Sequence, residues 1–83
     1  MKVTVKYFAS IREALGQGSE AVDTNAATCA ALRGELLARG GAYAQALAQG
    51  KSIRIALDQV MVPDNAELHE GAEVAFFPPV TGG

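Results

Sequence analysis

Apolar and polar residues alternate through residues 2–8, which predicts a half-buried strand near the start of the chain. Successive side chains of a strand point to opposite faces, so this strand has an apolar face and a mixed face. The apolar face carries Val3, Val5 and Tyr7, and the mixed face carries Lys2, Thr4, Lys6 and Phe8. The same period predicts further strands at residues 20–22, 52–58, 59–62 and 73–77.

A short helix is predicted directly after the first strand. Ser10 and Glu13 stand three residues apart, which is the spacing of a capping box, in which both side chains accept backbone N–H groups at a helix start. Gly16 and Gly18 then limit this helix to about two turns.

The longest helix is predicted at residues 28–39, where apolar residues recur with the helical period. Its apolar stripe consists of Cys29, Leu32, Leu36 and Leu37, and its opposite face of Arg33, Glu35 and Arg39. Gly40 and Gly41 are expected to end this helix in the left-handed conformation. An Ala-rich segment at 42–48 predicts a second, shorter helix that Gly50 closes.

The order of these elements predicts an α+β domain, a mixed sheet of about five strands with helices packed on one face. The other face is then open, and strand parity places on it Phe8, Ala56, Ala75 and Phe77. Two phenylalanines on an open face indicate a docking surface. A register shifted by one residue, or a loop that covers the face, would also account for them.

The folded domain is expected to end where two prolines follow the last strand. Pro78 and Pro79 lack backbone donors and fix an extended conformation, so sheet pairing stops there. We therefore predict a folded domain at residues 1–77 and an extended tail at residues 78–83.

The tail ends in two residues without a Cβ, Gly82 and Gly83, which can pass through a channel too narrow for other residues. Its carboxylate is a poor electrophile, so it must first be activated, most simply as an acyl adenylate made with ATP. A thiol or sulfide can then displace AMP, which gives a thiocarboxylate or an acyl group for transfer. The alternative is a frayed tail that happens to end in glycines.

Composition and charge narrow the function classes. With 83 residues, of which 49 % are apolar, the chain is one domain. Seven basic residues against nine acidic ones give a net charge of −2, which argues against a nucleic-acid binder. A single cysteine excludes an internal disulfide, and no stretch approaches the roughly 18 apolar residues of a membrane span. We therefore expect a cytoplasmic protein.

Few residues suit catalysis. Cys29 lies on the apolar stripe of the main helix and is expected in the core, and His69 is expected in a solvated loop. The Gly16–Gly18 segment lacks the third glycine and the Lys-Ser/Thr pair of phosphate-binding loops. We therefore expect no metal site, and no catalysis by this chain alone.

Two segments resemble motifs of a known family. Residues 71–83, GAEVAFFPPVTGG, are similar to the C-terminal signature of the small, sulfur-carrying subunit of molybdopterin synthase, the MoaD family. Residues 8–13, FASIRE, with Gly16 after them, resemble the family's other recurrent motif. The resemblance extends in length and element order along the whole chain. It implies a ubiquitin-like β-grasp fold with the first and last strands adjacent and parallel in the middle of the sheet.

The resemblance also implies a mechanism. An activating enzyme similar to ubiquitin E1 uses ATP to adenylate Gly83, and a sulfur donor protein then converts the adenylate to a thiocarboxylate. The tail inserts into the large subunit of molybdopterin synthase, which supplies the catalytic residues. There the sulfur is donated to a cyclic pyranopterin monophosphate in molybdenum cofactor biosynthesis. The carrier itself binds no cofactor, and a heterotetramer with the large subunit is expected.

Residue by residue, the resemblance implies Gly83 as the reactive position. The inserting tail consists of Pro78, Pro79, Val80, Thr81 and Gly82, and the partner contacts are Phe8, Arg12, Phe77 and Val80. This chain departs from the family at two turn or strand-end positions. Ala72 stands where the family often has Asp, and Asp58 where it often has Asn.

Three other functions remain open. Carriers for thiamine-thiazole synthesis share the fold and the Gly-Gly end, but they are typically shorter and lack the Phe-Phe-Pro-Pro run of residues 76–79. A ubiquitin-like modifier that forms isopeptide bonds to lysines uses the same activation chemistry. A passive interaction module would have an inert tail.

Overall fold

The structure, a computed structural model, describes residues 1–48 and 52–78. Its strands are β1 (Lys2–Tyr7), β2 (Ser19–Asp23), β3 (Arg54–Leu57), β4 (Val60–Val62) and β5 (Glu73–Phe77). The helices in this part of the chain are α1 (Ala9–Leu15), α2 (Cys29–Leu37) and α3 (Gly41–Ala46). Each strand and helix predicted from the periodicity is present, with small differences at the ends. Gly50 and the tail from Pro79 to Gly83 lie outside the described residues.

The five strands form one mixed sheet in the order β2-β1-β5-β3-β4. The first and last strands, β1 and β5, are parallel neighbours in the centre, and the other pairs are antiparallel. This arrangement confirms the α+β prediction and the central parallel pair. Because parallel strands end at the same edge of a sheet, the chain leaves β1 and β5 side by side.

The helices cover one face of the sheet, and the core lies between them. The sheet contributes Val3, Val5, Tyr7, Val74 and Phe76, each 0–1 % exposed, and the helical side contributes Ile11, Cys29, Leu32, Leu36 and Leu47. Full burial of such a side chain stabilises the fold by about 1.5–3 kcal/mol. The predicted inward positions of β1 and β5 are confirmed.

The predicted capping box is wrong. Helix α1 begins at Ala9, one residue before Ser10, and its N-cap is Phe8, which makes no side-chain cap hydrogen bond. Phe8 is fixed instead by the sheet, because its N–H donates to Phe76 O at 3.2 Å while its own carbonyl accepts from Ile11 N. Tertiary pairing therefore sets the helix start. The predicted end is confirmed, since Gly16 is the C-cap in the left-handed conformation.

The polar face predicted for α2 contains one buried residue. Arg33 is only 7 % exposed, and its Nε donates to Leu47 O at 2.8 Å while Nη2 donates to Ala48 O. The last carbonyls of a helix have no partners within it, so a guanidinium at the end of α3 satisfies them. Arg33 was therefore wrongly predicted to face solvent.

The predicted glycine stop of α2 is also wrong. The helix ends at Leu37, and its C-cap, Ala38, is right-handed. Gly40 and Gly41 do adopt positive φ angles, 73° and 55°, but they begin α3. The left-handed pair thus redirects the chain between two helices.

The two departures from the family motif lie at either end of the β3–β4–β5 connection. Asp58 and Gln59 form the tight turn between β3 and β4 with φ angles of 50° and 70°, which an Asp tolerates better than most residues. Asp58 Oδ1 also accepts from Glu73 N at 3.0 Å, which fixes the start of β5. Ala72 is fully buried, and its carbonyl accepts from Thr4 N at 2.9 Å.

A single carboxylate joins the edge strand β2 to the helices. Glu20 Oε2 accepts from Tyr7 Oη at 2.8 Å, from Tyr43 Oη at 2.7 Å and from Gln17 Nε2 at 3.0 Å. Its Oε1 accepts from Arg39 Nη1 at 2.9 Å. Burial raises the pKa of Glu20, but hydrogen bonds from Tyr43, Arg39 and Tyr7 outweigh it and hold the pKa below its ordinary value of 4.5.

Replacing this carboxylate should weaken the fold in a pH-dependent way. We expect Glu20→Gln to lower the free energy of unfolding by about 1–3 kcal/mol at pH 7, because donors that met a charged acceptor lose it. Since the pKa of Glu20 is lowered by folding, its contribution is complete above pH 4.5 and is lost as pH falls through the folded value. Urea unfolding at pH 7 and pH 3 should therefore show a difference that shrinks in acid.

Glu13→Gln is the matched control, because Glu13 is exposed on α1 and makes no hydrogen bond or ion pair within the described residues. It should leave stability unchanged at both pH values. Equal stabilities for Glu20→Gln and Glu13→Gln would contradict the role given to Glu20.

Candidate functional site

The open face of the sheet carries its side chains in rows that cross the strands. One row, at the end of β5, consists of Phe8, Phe77 and Arg54, and we call it the exit row. The next row consists of Lys6, Ala75, Ala56 and Met61, and we call it the floor row. Both rows come from strands that the register joins directly, so their side chains are neighbours on one surface.

The two phenylalanines of the exit row stack on each other. Their ring centroids are 4.5 Å apart and their planes differ by 9°. Phe8 is 38 % exposed and Phe77 is half-buried, so the pair presents an apolar surface to solvent. The predicted open-face positions of both residues are confirmed, and no described loop covers them. An aromatic pair at the edge of a sheet is a typical anchor of a protein interface.

The backbone after Phe8 is held in an unfavourable conformation. Ala9 has a φ of 51°, in the left-handed region that costs a non-glycine residue about 1–2 kcal/mol. This angle turns the chain from the extended Phe8, with φ −126° and ψ 154°, straight into α1. The sharp turn keeps Phe8 on the open face while Ile11 enters the core. Such strain tends to occur at functional positions.

The two alanines of the floor row are less exposed than the sequence predicted. Ala56 and Ala75 lie on the open face as predicted, but they are only 5 % and 4 % exposed. Their side chains are short, and longer ones on the same face, such as Lys6 and Met61, stand above them. Met61 is 53 % exposed. The two alanines are therefore covered by longer neighbours, beside the phenylalanine pair.

The structure does not bring Arg12 into the exit row. Arg12 lies on α1, exposed, and its side chain packs towards Gly18, where a Cβ would meet Arg12 Nε at 3.2 Å. Gly18 precedes β2, and its carbonyl accepts from Tyr7 N at 3.0 Å, so Arg12 stands on the β2 side of Phe8. Its role as a partner contact remains a prediction.

The predicted tail begins at the exit row. Pro78 follows Phe77 directly and is half-buried, and residues 79–83, including Val80 and the predicted reactive position Gly83, lie outside the described residues. Because β1 and β5 are parallel, Pro78 leaves the sheet at the edge where Phe8 stands. The stacked phenylalanines therefore mark the place where the tail departs.

The other residues considered for chemistry, Cys29 and His69, lie in the core and on the surface respectively. Cys29 is fully buried, and burial raises the pKa of its thiol, as expected for a core cysteine. His69 is exposed, and its Nε2 bonds to Asp58, which raises the pKa of the imidazole. Among residues 1–48 and 52–78, no three His, Cys, Asp or Glu side chains are placed to hold a metal ion. In the same residues, no helix has the length and apolarity to cross a bilayer.

Arg54 is the residue of this face that sequence reasoning missed. The alternation of residues 52–58 puts its side chain on the same face as Ala56, but nothing in the sequence places it beside Phe77. That neighbourhood follows from the β3–β5 register, in which Arg54 and Phe77 are directly paired. Pairing between strands that are distant in sequence has no local signal.

Comparisons with known proteins agree with this geometry. The model of the ThiS family matches residues 5–83. The molybdopterin synthase sulfur carrier subunit of Haemophilus influenzae is 38 % identical over 81 residues, which cover 98 % of this chain and 99 % of that protein. The corresponding subunit of Escherichia coli is 41 % identical over 81 residues, with the same coverage.

Solved structures share the fold. SAMP1 from Haloferax volcanii has a TM-score of 0.78 and 25 % identity, with all of both chains covered. A putative molybdopterin converting factor subunit 1 from Pyrococcus furiosus has a TM-score of 0.77 and 28 % identity, covering 96 % of this chain and 99 % of that one. A complex of subunits 1 and 2 of the molybdopterin-converting factor from Helicobacter pylori contains a chain with a TM-score of 0.69 and 25 % identity, with full coverage of both.

The strain at Ala9 can be tested by two substitutions in the same helix. Glycine adopts φ 51° freely, so we expect Ala9→Gly to raise the free energy of unfolding by up to about 1 kcal/mol. Ala14→Gly, at an exposed position in the last turn of α1, should lower it by up to about 1 kcal/mol. Denaturant unfolding checks both. Equal destabilisation by the two changes would show that Ala9 is not held in the left-handed conformation.

Proposed function

The chain belongs to the ThiS family, and from this membership we propose that it is the sulfur carrier subunit of a molybdopterin synthase. The observation that carries the proposal is the similarity, over nearly the whole chain, to two curated sulfur carrier subunits. The exit row supports it, because a stacked aromatic pair, with Phe8 exposed and Phe77 half-buried, stands at the end of β5 from which Pro78 continues. A carrier needs such a docking surface beside its reactive end.

The proposed chemistry takes place on the carboxylate of Gly83. An E1-like activating enzyme attaches AMP from ATP to this carboxylate and releases pyrophosphate. Sulfide-level sulfur from a donor protein then attacks the carbonyl carbon, forms the C–S bond and expels AMP. The thiocarboxylate sulfur that results forms a bond to a side-chain carbon of the cyclic pyranopterin monophosphate, which loses an oxygen substituent. Water then breaks the acyl C–S bond, which restores the carboxylate and leaves the sulfur on the pterin.

The carrier's own residues serve binding and presentation in this scheme. The described residues supply an apolar aromatic pair for docking, and no three of their His, Cys, Asp or Glu side chains are placed to hold a metal ion. We assign the catalytic residues to the large subunit. A complex of the two subunits is known for the Helicobacter pylori protein. We propose the same partner here, in a heterotetramer. The single buried cysteine is consistent with a cytoplasmic site of action.

A second candidate function is that of a ubiquitin-like protein modifier. The likeness to SAMP1, with a TM-score of 0.78, favours it, since SAMP1 chains are named as small archaeal modifier proteins. Activated Gly83 would then be passed to a lysine amine instead of receiving sulfur. Lysine-linked adducts of the tagged carrier in cells would support this function, and normal pterin conversion after deletion of Gly82-Gly83 would favour a passive module.

The proposed chemistry predicts a mass change at Gly83. Intact mass after incubation with ATP, the activating enzyme and a sulfur donor should show one oxygen replaced by sulfur, localised to the last residue. Gly83→Ala should abolish the change and the pterin conversion, because a Cβ does not fit a channel built for glycine. Gly34→Ala is the control, since a Cβ there meets open space. Normal conversion by Gly83→Ala would contradict the proposal.

If the exit row binds the large subunit, a charge placed in this row should lower the affinity between the two proteins. We expect Phe77→Asp to weaken binding at least tenfold, because it places a carboxylate in an apolar interface. Val60→Asp is matched, since Val60 is 63 % exposed and lies outside both rows. Calorimetric titration of each variant, with circular dichroism for folding, makes the comparison. Equal affinities for the two variants would show that the exit row is not part of the interface.

A further inference from the structure

We infer that Arg54 is a specificity-determining contact that binds a carboxylate of the large synthase subunit, beside the point where the tail enters that subunit. The inference rests on the proposed function and adds to it a residue, a partner chemistry and a place. It starts from one observation. An arginine without an ion-pair partner among the described residues stands in line with the stacked rings of Phe8 and Phe77, next to Pro78.

The register fixes the position of Arg54. It is the cross-strand partner of Phe77, so their Cβ atoms lie roughly 5 Å apart on the same face. Phe77 in turn stacks on Phe8 at 4.5 Å. Arg54, Phe77 and Phe8 thus form one continuous row, and a partner that covers the rings also covers the base of the arginine side chain.

The charge of Arg54 has no counterpart in the described part of its own chain. Within residues 1–48 and 52–78, Arg54 is exposed and makes no hydrogen bond or ion pair. Three acidic side chains lie on its own face. Asp23 is on the edge strand β2, three strands away from β3, and the nearer two, Asp58 and Glu73, stand four residues along β3 and β5, or roughly 13 Å away. These nearer two are paired with His69 and Lys6. Residues 49–51 and 79–83 contain no Asp or Glu.

A groove continues the exit row past Arg54. Its volume is about 420 Å³, and it is lined by Arg54, Met61, Pro63 and Asp64 together with Arg33, Ile53, Ile55 and Val62. Met61 also belongs to the floor row, so the groove adjoins that row. Although Asp64 lines the same groove, no ion pair joins it to Arg54 among the described residues. A partner segment in the groove therefore meets a cation that can still take a carboxylate.

These features describe the chemistry of the partner surface. It offers an apolar side chain to the phenylalanine pair and an Asp or Glu to Arg54. A guanidinium binds a carboxylate through two parallel hydrogen bonds, which fixes the orientation of the partner as well as its affinity. The aromatic rings exclude water from one side of this pair, and arginine beside aromatic residues is typical of interface hot spots.

The experiment compares charge changes at the two ends of the open face. Arg54→Gln, Arg54→Glu and Lys2→Glu are titrated against the purified large subunit at low and high salt. Lys2→Glu and Arg54→Glu change the net charge equally, but Lys2 lies at the far end of β1. We expect roughly a 30-fold loss of affinity for Arg54→Gln, a larger loss for Arg54→Glu, and less than about a threefold loss for Lys2→Glu.

A charge swap identifies the acid on the partner. Asp and Glu residues around the tail entrance of the large subunit are changed to Lys one at a time, and one such variant should restore binding to Arg54→Glu. Equal effects of Arg54→Glu and Lys2→Glu would overturn the inference, because the arginine would then contribute only long-range attraction. Failure of every swap would also overturn it.

Two controls distinguish a contact with the partner from a role of Arg54 in folding or in activation of the tail. If Arg54 served the fold by pairing with Asp64, Arg54→Gln and Asp64→Asn would both lower the unfolding temperature of the isolated chain, and this result would overturn the inference. Arg54→Glu should still be converted to the thiocarboxylate by the activating enzyme. If the unaltered chain gains no sulfur or does not bind the large subunit, the proposed function itself fails; if only the Arg54 variants behave as Lys2→Glu does, this inference alone fails.

Discussion

The parallel pairing of β1 with β5 is the constraint on which the rest of the structure depends. It joins the first and last strands of the chain in the middle of the sheet, so that residues about seventy positions apart leave the sheet at one edge. The stacking of Phe8 on Phe77 follows from this pairing, as does the position of Pro78 beside them. An antiparallel pairing would place the C-terminal ends of β1 and β5 at opposite edges and separate Phe8 from Phe77 and Pro78.

The same pairing divides the sheet into two faces with different tasks. Val5, Tyr7, Val74 and Phe76 face the helices and are almost completely buried, so they carry the stability of the domain. The residues that alternate with them along the strands face the open side, and they include alanines, two phenylalanines and charged residues. Because the two sets share a backbone but not a packing environment, the docking surface can change without loss of the core. The hydrogen bonds of Glu20 lie on the helix side, so they hold the edge strand β2 in place without involving the open face.

Local pattern predicted the elements well because each depends on nearby residues. The period of two placed β5 at 73–77, as observed, and the inward and outward residues of β1. It failed where distant parts of the chain decide. The capping box predicted at Ser10 does not form, because a sheet hydrogen bond at Phe8 sets the start of the helix. Arg33 is buried because its guanidinium donates to a carbonyl just after α3. Arg54 had no sequence signal, since only the register of β3 against β5 places it beside Phe77.

In the proposed function, the large subunit holds the catalytic residues and the carrier obtains its specificity from surface geometry. In that scheme the tail enters more than one active site, and glycines at its end make that entry permissive instead of selective. Selection therefore falls to the rigid surface next to the tail, where strand pairing fixes each side chain relative to the others. An aromatic pair gives affinity to any apolar partner, whereas a guanidinium in the same row discriminates by charge and direction. The strained turn at Ala9 serves the same end, because it holds Phe8 on this surface at some expense in stability.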